Sequence, residues 1–225
     1  MTFSLVGRCE KTNMVGVAIS SSSISVSSRC PWVRAGVGAA STQNVTDPSL
    51  GNLMLDYLEK GLTVNEVIHK ISKEEKHIEY RQLLLVDNKG NTAEHTGTKI
   101  LGISGLEKGK NCIAAGNMLK STTVPKVMID NFINNANTHL AERLLLALKA
   151  GLDEGGEEGP VHSAGIKVAD NTMWPIVDLR VDWLDAQPIE ELYKLWKTFE
   201  PQMDDYKSRA LNPSEAPSYG VLGDL

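Results

Sequence analysis

The threonine at position 2 combines two groups that could act together in catalysis. The chain opens MTFSLVGRCEKTNMVGVAIS, and Thr2 is the first residue of the apolar stretch TFSLV. Removal of Met1 would leave Thr2 with a hydroxyl and a free α-amine, and an adjacent amine can activate a hydroxyl nucleophile. An unperturbed α-amine has a pKa of about 7.7–8.0, against about 10.4 for lysine, so part of it is unprotonated at neutral pH. Thr2 is therefore predicted to be an N-terminal nucleophile or, alternatively, simply the start of a strand.

Other residue types with catalytic potential do not occur at the spacings that their functions require. The five histidines include no H-x-x-x-H or H-E-x-x-H pair, so no metal site is predicted. The stretch GVGAAS at 36–41 lacks the third glycine of a dinucleotide-binding loop. No serine lies in a G-x-S-x-G elbow, although a Ser-His-Asp triad built from distant positions stays open. No cofactor is expected.

Composition and charge restrict the classes of partner. The 225 residues are 41% hydrophobic with a formal net charge of −5, which argues against binding to a nucleic-acid backbone. No stretch approaches the roughly 18 apolar residues of a membrane span, and the opening residues lack the pattern of a secretory signal. Three widely spaced cysteines are typical of a reducing compartment. We therefore expect a cytoplasmic protein that binds neither nucleic acid nor membrane.

The order of predicted elements indicates two stacked antiparallel sheets between layers of helices. Apolar runs at 3–9 and 14–20 predict a hairpin, and the residues at 20–28 and 33–41 predict two further strands. Capping signals, including TVNE at 63–66, and apolar periodicity then predict two helices. Two more strands, another helix pair, two late strands and a last helix follow. Helices that come in pairs favour an α+β, four-layer αββα sandwich over a doubly wound parallel sheet.

The residues at the carboxyl end are predicted to lie outside this core. Residues 1–199 form the predicted single domain, and residues 200–225, which include Pro201, Pro213 and Pro217, form a predicted extended arm. The arm either drapes over a neighbouring subunit, giving a homodimer or higher homo-oligomer, or stays flexible or packed on its own chain. Light scattering on a chain truncated after Pro201 separates these alternatives, because only the first predicts a smaller oligomer.

Several segments resemble the family known as domain of unknown function 1028. They occur in order over about residues 2–185 and include TFSLV, VGVAISS, PWVRAGVGAASTQ, YRQLLLVDNKG, AAGNML, LAERLLLALKAG and VDLRVD. The resemblance implies the αββα fold of the N-terminal-nucleophile (Ntn) hydrolase superfamily, removal of Met1, and Thr2 Oγ as the nucleophile. It implies little about substrate, because a fold does not determine a function.

Comparison with proteasome-type relatives changes one expectation about the site. The resemblance places Ser20, a predicted substrate-binding residue, where an acidic residue would orient a lysine. No lysine follows in that region, where Arg29 and Arg34 are the basic residues, so the aspartate–lysine pair is missing. Either another cation tunes the Thr2 amine, or the chemistry is weaker or different.

Polar residues at other strand ends are also predicted to belong to the site. Thr42 and Gln43 either hydrogen-bond the substrate or cap a strand end. Arg81, with Gln82 beside it, either binds a substrate carboxylate through its planar guanidinium or forms a salt bridge to a nearby glutamate. Asn117 in GNML is predicted to be catalytic, donating to an oxyanion or holding the α-amine; the alternative is a turn residue.

Together these residues predict an Ntn-type amidohydrolase with a small-molecule substrate. The bond cleaved is a C–N bond of amide, ureido or imine-like type, in a small polar molecule that carries a carboxylate. Thr2 Oγ would attack the carbonyl carbon, with the α-amine as base and then as acid. The alternative is a non-catalytic Ntn scaffold for ligand binding or assembly, which the missing aspartate–lysine pair favours.

Overall fold

A computed structural model describes residues 1–220 and contains two antiparallel sheets. The strands are β1 (Thr2–Arg8), β2 (Val15–Ser21), β3 (Pro31–Arg34), β4 (Gly38–Asn44), β5 (Arg81–Asp87), β6 (Thr92–Thr96), β7 (Gly105–Gly109), β8 (Cys112–Asn117), β9 (Ser163–Ala169) and β10 (Val177–Val181). The larger sheet has the order β10-β9-β2-β1-β8-β7, and the smaller has the order β3-β4-β5-β6. Strand β1 therefore lies in the middle of the larger sheet, between β2 and β8.

Helices cover the outer face of each sheet. They are α1 (Ser49–Glu59), α2 (Val64–Glu74), α3 (Val124–Asn134), α4 (Leu140–Asp153), α5 (Pro188–Phe199) and α6 (Met203–Leu211). Apolar residues of α1 and α2 pack on the four-stranded sheet, and those of α3, α4 and α5 pack on the six-stranded sheet. The predicted α+β, four-layer αββα sandwich is confirmed.

The pleat of β1 decides which of its side chains face the other sheet. Phe3 and Leu5 pack against the helices, whereas Val6 belongs to the apolar layer between the sheets. Ser4 shares the face of Val6, because its hydroxyl donates to Gln43 Oε1 of β4 at 2.7 Å. Thr2, two residues before Ser4 on the same strand, faces the same side of the sheet. The inter-sheet layer is thus aliphatic along most of β1 and becomes polar where β1 begins.

Two predicted strands are wrong. Residues 20–28 do not continue as a strand: β2 ends at Ser21, and Val26–Ser28 form a 3₁₀ turn after Ser25, whose φ is 53°. The Ser28 hydroxyl donates to the Ser25 carbonyl oxygen at 2.7 Å, so serine side chains here satisfy the backbone in place of a neighbouring strand. Residues 33–41 form a hairpin of β3 and β4 rather than one strand, and Gly36, with a φ of 71°, lies in its turn.

The predicted arm is not extended throughout. Residues 203–211 form α6, and Tyr206 on this helix stacks on Phe199 with ring centroids 6.0 Å apart. Pro201 is accommodated in the first turn of a short 3₁₀ helix and Pro213 follows α6, so neither proline interrupts it. The domain division and the oligomer stay predictions, and residues 221–225 of the arm lie outside the described chain. Within residues 1–220 no helix is long and apolar enough to cross a bilayer.

Candidate active site

Thr2 lies buried at the start of the central strand, beside the last residue of β2. Its exposed fraction is 5%, and its backbone is paired with that of Asn117 in β8. Thr2 Oγ1 lies 3.2 Å from Ser21 Oγ. Both hydroxyls are hydrogen-bonded to the carbonyl oxygen of Met1. The site can therefore hold a carbonyl oxygen between two hydroxyl donors.

Ser21 is also the end of a hydrogen-bond chain that starts at a cation. Ser21 Oγ lies 2.8 Å from Ser23 Oγ, which accepts from Arg29 Nη2 at 2.7 Å. A guanidinium group only donates, so the Ser23 hydroxyl is free to donate its own hydrogen bond to Ser21. Ser21 in turn donates to the carbonyl oxygen beside Thr2, and the positive charge of Arg29 polarises this series of hydrogen bonds. This arrangement stabilises negative charge at that position.

Three buried amide side chains lie between the sheets near the start of β1. Gln82 Oε1 accepts from Gln43 Nε2 at 2.7 Å and from Asn117 Nδ2 at 3.4 Å. All three side chains are fully buried. Asn117 Oδ1 has no hydrogen-bond partner among the described residues. The structure thus brings three predicted residues together and leaves one amide oxygen available.

Gln82 additionally borders an opening between the edges of the two sheets. A cavity of about 380 Å³ lies between β6 and β7 and is lined by Gln82, Glu94, Thr96, Ser104, Gly105 and Leu106. This cavity therefore ends against the buried amide cluster, at Gln82.

Ser20 and Thr42 lie on the outer faces of their sheets. Ser20 is opposite Phe3 and donates to the carbonyl oxygen of Ser163 at 3.0 Å. Thr42 is opposite Leu83 in the layer of α1 and α2. In this conformation neither hydroxyl faces the layer that contains the Thr2 hydroxyl, because each is one residue out of phase with its inward-facing neighbour. The inward-facing neighbours are Ser21 and Gln43.

Arg81 also lies apart from the amide cluster. Its Nη1 donates to the carbonyl oxygen of Val45 at 2.6 Å, and its Nη2 pairs with Glu75 Oε1 at 3.2 Å. The salt bridge matches the alternative raised from the sequence. Contact between Arg81 and a substrate carboxylate stays a prediction.

Glu157, a buried carboxylate near the amino terminus, is a candidate site residue that no sequence pattern predicted. Glu157 is 3% exposed, and neither of its carboxylate oxygens has a hydrogen-bond partner within residues 1–220. Burial raises the pKa of Glu157 to about 7, although the positive amino group of Met1 and the nearby polar groups of Ser22 act to lower it. The available sequence signal is the pair Gly155-Gly156, whose φ angles of 120° and 57° turn the chain after α4.

The amino group of Met1 is the positive group that acts on Glu157. In the part of the chain that the structure describes, no three His, Cys, Asp or Glu side chains are grouped to hold a metal ion. The Met1 side chain packs against Gly159: a methyl group in place of the Gly159 hydrogen would lie 3.0 Å from Met1 Cε. Glu157 and the amino end therefore share one corner of the molecule.

The thiols of Cys30 and Cys112 are expected to be unreactive in the folded protein. Burial raises the pKa of Cys30 to about 11 and that of Cys112 to about 12, so little thiolate is present near neutrality. We expect iodoacetamide at pH 8 to leave both unlabelled in the native chain and to label both in urea, as measured by peptide mass. Stoichiometric labelling of either thiol in the folded chain would contradict this burial.

Comparisons with known proteins agree with the fold. The model of a family of unknown function, DUF1028, matches residues 2–192. Protein SPO2555 from Silicibacter pomeroyi, whose crystal structure is described with the same family model, is 27% identical with a TM-score of 0.81, and 88% of each chain is covered. Anbu (ancestral beta-subunit) from Yersinia bercovieri is 11% identical with a TM-score of 0.39, covering 91% of this chain and 97% of that chain.

Anbu from Hyphomicrobium sp. strain MC1 is similar at the same level, with 12% identity, a TM-score of 0.40, and coverage of 92% of this chain and 98% of that chain. No functionally curated protein matches the chain. The family match extends over most of the sequence and includes every residue of the candidate site. The chain therefore belongs to the DUF1028 family, a family of unknown function.

Proposed function

We propose that the protein is an Ntn hydrolase that cleaves a C–N bond in a small polar substrate, with Thr2 as its nucleophile. The observation that carries this proposal is the buried Thr2 hydroxyl, 3.2 Å from the Ser21 hydroxyl, with a carbonyl oxygen hydrogen-bonded to both. The αββα sandwich, with Thr2 at the start of a central strand, supports assignment to the Ntn superfamily. Cleavage of the Met1–Thr2 bond would add the α-amine that the chemistry needs.

The first half of the reaction makes an ester on Thr2. The α-amine takes the hydroxyl proton as Thr2 Oγ bonds to the substrate carbonyl carbon, and the carbonyl electron pair moves onto oxygen. Ser21, polarised through Ser23 by Arg29, donates to that oxyanion from the position where it now meets the Met1 carbonyl. Asn117 is the second proposed donor, because its Nδ2 has only a 3.4 Å contact to give up.

The ester forms, completing the first half, when the ammonium group of Thr2 returns its proton to the leaving nitrogen and the C–N bond breaks. The second half releases the acyl group. A water molecule, deprotonated by the same amine, then attacks the ester and regenerates the hydroxyl. One residue thus serves as nucleophile, base and acid.

The size and polarity of the proposed substrate follow from what surrounds Thr2. Removal of Met1 would vacate the volume that its side chain occupies against Gly159, next to the hydroxyls of the site. Space for one residue-sized group among hydroxyls and amides suits a small polar molecule. A carboxylate on that molecule remains part of the proposal, with Arg81 as its predicted partner after release from Glu75.

Mass spectrometry of the protein with candidate substrates tests this proposal. The intact mass of protein from its native cells should correspond to a chain without Met1. Incubation with small amides and ureides, followed by an acid quench, should leave an acyl or carbamoyl adduct confined to the tryptic peptide TFSLVGR. Turnover by a chain that retains Met1, or an adduct on another peptide, would exclude Thr2 as the nucleophile. The non-catalytic alternative predicts neither adduct nor turnover across the panel.

A further inference from the structure

Glu157 is held in a fixed position next to the strand that pairs with Thr2. Leu119 forms an isolated antiparallel bridge with Glu157. Backbone hydrogen bonds on either side join 118–120 to 156–158, with distances of 3.1 Å from Lys120 N to Gly156 O and 2.8 Å from Glu158 N to Met118 O. The segment 118–120 directly follows Asn117, which is paired with Thr2. The backbone of Glu157 is therefore anchored to the segment that continues β8, the strand paired with Thr2.

The charged groups around Glu157 leave the amino terminus as its counter-ion. Lys120 and Glu158, on the two bridged segments, are exposed to solvent. The Arg29 guanidinium is bonded to Ser23 and to backbone carbonyl oxygens. The amino group of Met1 is the positive group whose charge acts on Glu157. A buried carboxylate without hydrogen bonds is costly to fold, which indicates a role other than stability.

We propose that Glu157 is a positioning residue that holds the α-amine of Thr2 and stabilises the ammonium formed when that amine takes the hydroxyl proton. This inference rests on the proposed function. Removal of Met1 moves the amine one residue along the strand, about 3.3 Å, from Met1 to the nitrogen of Thr2. The amine would then be flanked by the Ser21 hydroxyl on one strand and by the Glu157 carboxylate beyond the other.

The role resembles that of the acidic member of a catalytic triad. Such a carboxylate orients the base and stabilises the cation that forms on it, without itself taking part in bond formation. The Glu157 carboxylate stabilises the Thr2 ammonium from the point at which the amine takes the hydroxyl proton until that proton passes to the leaving nitrogen. The device replaces the aspartate–lysine pair that the sequence lacks with a carboxylate from the turn after α4.

The first test compares Glu157→Gln with Glu158→Gln, an exposed neighbour of the same charge. Glu157→Gln is expected to lower kcat by about 10- to 100-fold, part of the roughly 100- to 10,000-fold that a positioned base contributes. The acidic limb of its kcat–pH profile should move to lower pH by about one unit, because the amine loses a nearby negative charge. Glu158→Gln should match the wild type. An unchanged kcat and profile for Glu157→Gln would overturn the proposal.

A second measurement does not depend on turnover. Cyanate carbamylates unprotonated amines, and the TFSLVGR peptide reports the α-amine of Thr2. At pH 7.5, above the pKa of about 7 for Glu157, the amine of Glu157→Gln should react about 2- to 7-fold faster, the change that a pKa lowered by half to one unit into the ordinary range produces. Equal rates in both proteins would overturn the pairing. A faster rate in a protein that hydrolyses nothing would support the pairing and reject the proposed hydrolase activity.

A urea-unfolding measurement distinguishes this positioning role from a purely structural role of Glu157. The folded-state pKa of Glu157 is raised to about 7 from an ordinary value of 4.5, so its contribution to stability is present below pH 4.5 and is lost as the pH rises through 7. At pH 8 the Glu157→Gln variant, which has a neutral amide at this position, should therefore unfold at a urea concentration no lower than that of the wild type. A lower midpoint for Glu157→Gln, with Glu158→Gln unchanged, would make Glu157 a structural residue and overturn the proposal.

Discussion

Replacing Thr2 by alanine should lower kcat by at least about 1,000-fold while the chain still folds, because the variant keeps the α-amine but has no oxygen to attack the carbonyl. Thr2→Ser keeps the hydroxyl and should retain kcat within about 10-fold. The measurement is initial-rate kinetics on whichever compound of the panel acylates the protein, with the mass of each variant checked for loss of Met1.

The control for Thr2→Ala is Thr12→Ala. Thr12 is an exposed threonine in the turn between β1 and β2, and its hydroxyl accepts a long 3.4 Å contact from Met14 N. Its variant should match the wild type in rate and in urea midpoint. Full activity of Thr2→Ala would show that another group is the nucleophile and would contradict the proposed function.

The second large effect is on stability and concerns Gln82. Gln82→Met keeps the length of the side chain but removes the oxygen that accepts from Gln43 and Asn117, and the amide that donates to Gly116 O at 3.3 Å. Each polar group left buried without a partner costs about 1–3 kcal/mol, and Gln43 keeps a bond to Ala115 O. The free energy of unfolding in urea should therefore fall by about 2–4 kcal/mol.

Gln202→Met is the matched control for this experiment. Gln202 is exposed before α6, and its amide donates to the carbonyl oxygen of Thr198 at 2.9 Å, where water can replace it. The loss there should stay within about 0.5 kcal/mol. A loss below about 1 kcal/mol for Gln82→Met would mean that the three amides are not mutually bonded in solution.

Two neighbouring groups of polar residues between the sheets are expected to have different roles. Thr2, Ser21 and the chain to Arg29 are placed around a carbonyl oxygen, and they are expected to determine rate. Gln43 and Gln82 bond mainly to each other and to backbone between the sheets, and they are expected to determine stability. Asn117 links the two groups, because its backbone is paired with Thr2 and its amide contacts Gln82.

Local sequence patterns determined most of the elements. The apolar runs on either side of the turn at 10–13 predicted the first hairpin, which the structure places at 2–8 and 15–21. TVNE predicted a capping box, and Thr63 and Glu66 form it at the start of α2. These predictions hold because caps and amphipathic periods depend on residues within a turn or two of each other.

The same local reasoning failed where serine side chains replace a neighbouring strand. The alternation in 20–28 predicted a strand, but the hydroxyl of Ser28 and the guanidinium of Arg29 bond to nearby carbonyl oxygens and form a turn instead. That turn also brings Arg29 to Ser23, and so connects a cation to the site. Competition between side chain and sheet is not visible in a hydrophobicity pattern.

The sequence by itself determined the fold class and singled out Thr2, because a hydroxyl residue ahead of a buried strand is a local feature. Only the tertiary structure decided which polar residues accompany it. Whether Ser20 or Ser21 faces Thr2 depends on a shift of one residue in the pleat, and the pairing of two sheets sets that shift. Glu157 reaches the amino end across more than 150 positions through a bridge to Leu119. Contacts of that range come from packing, and no spacing in the chain encodes them.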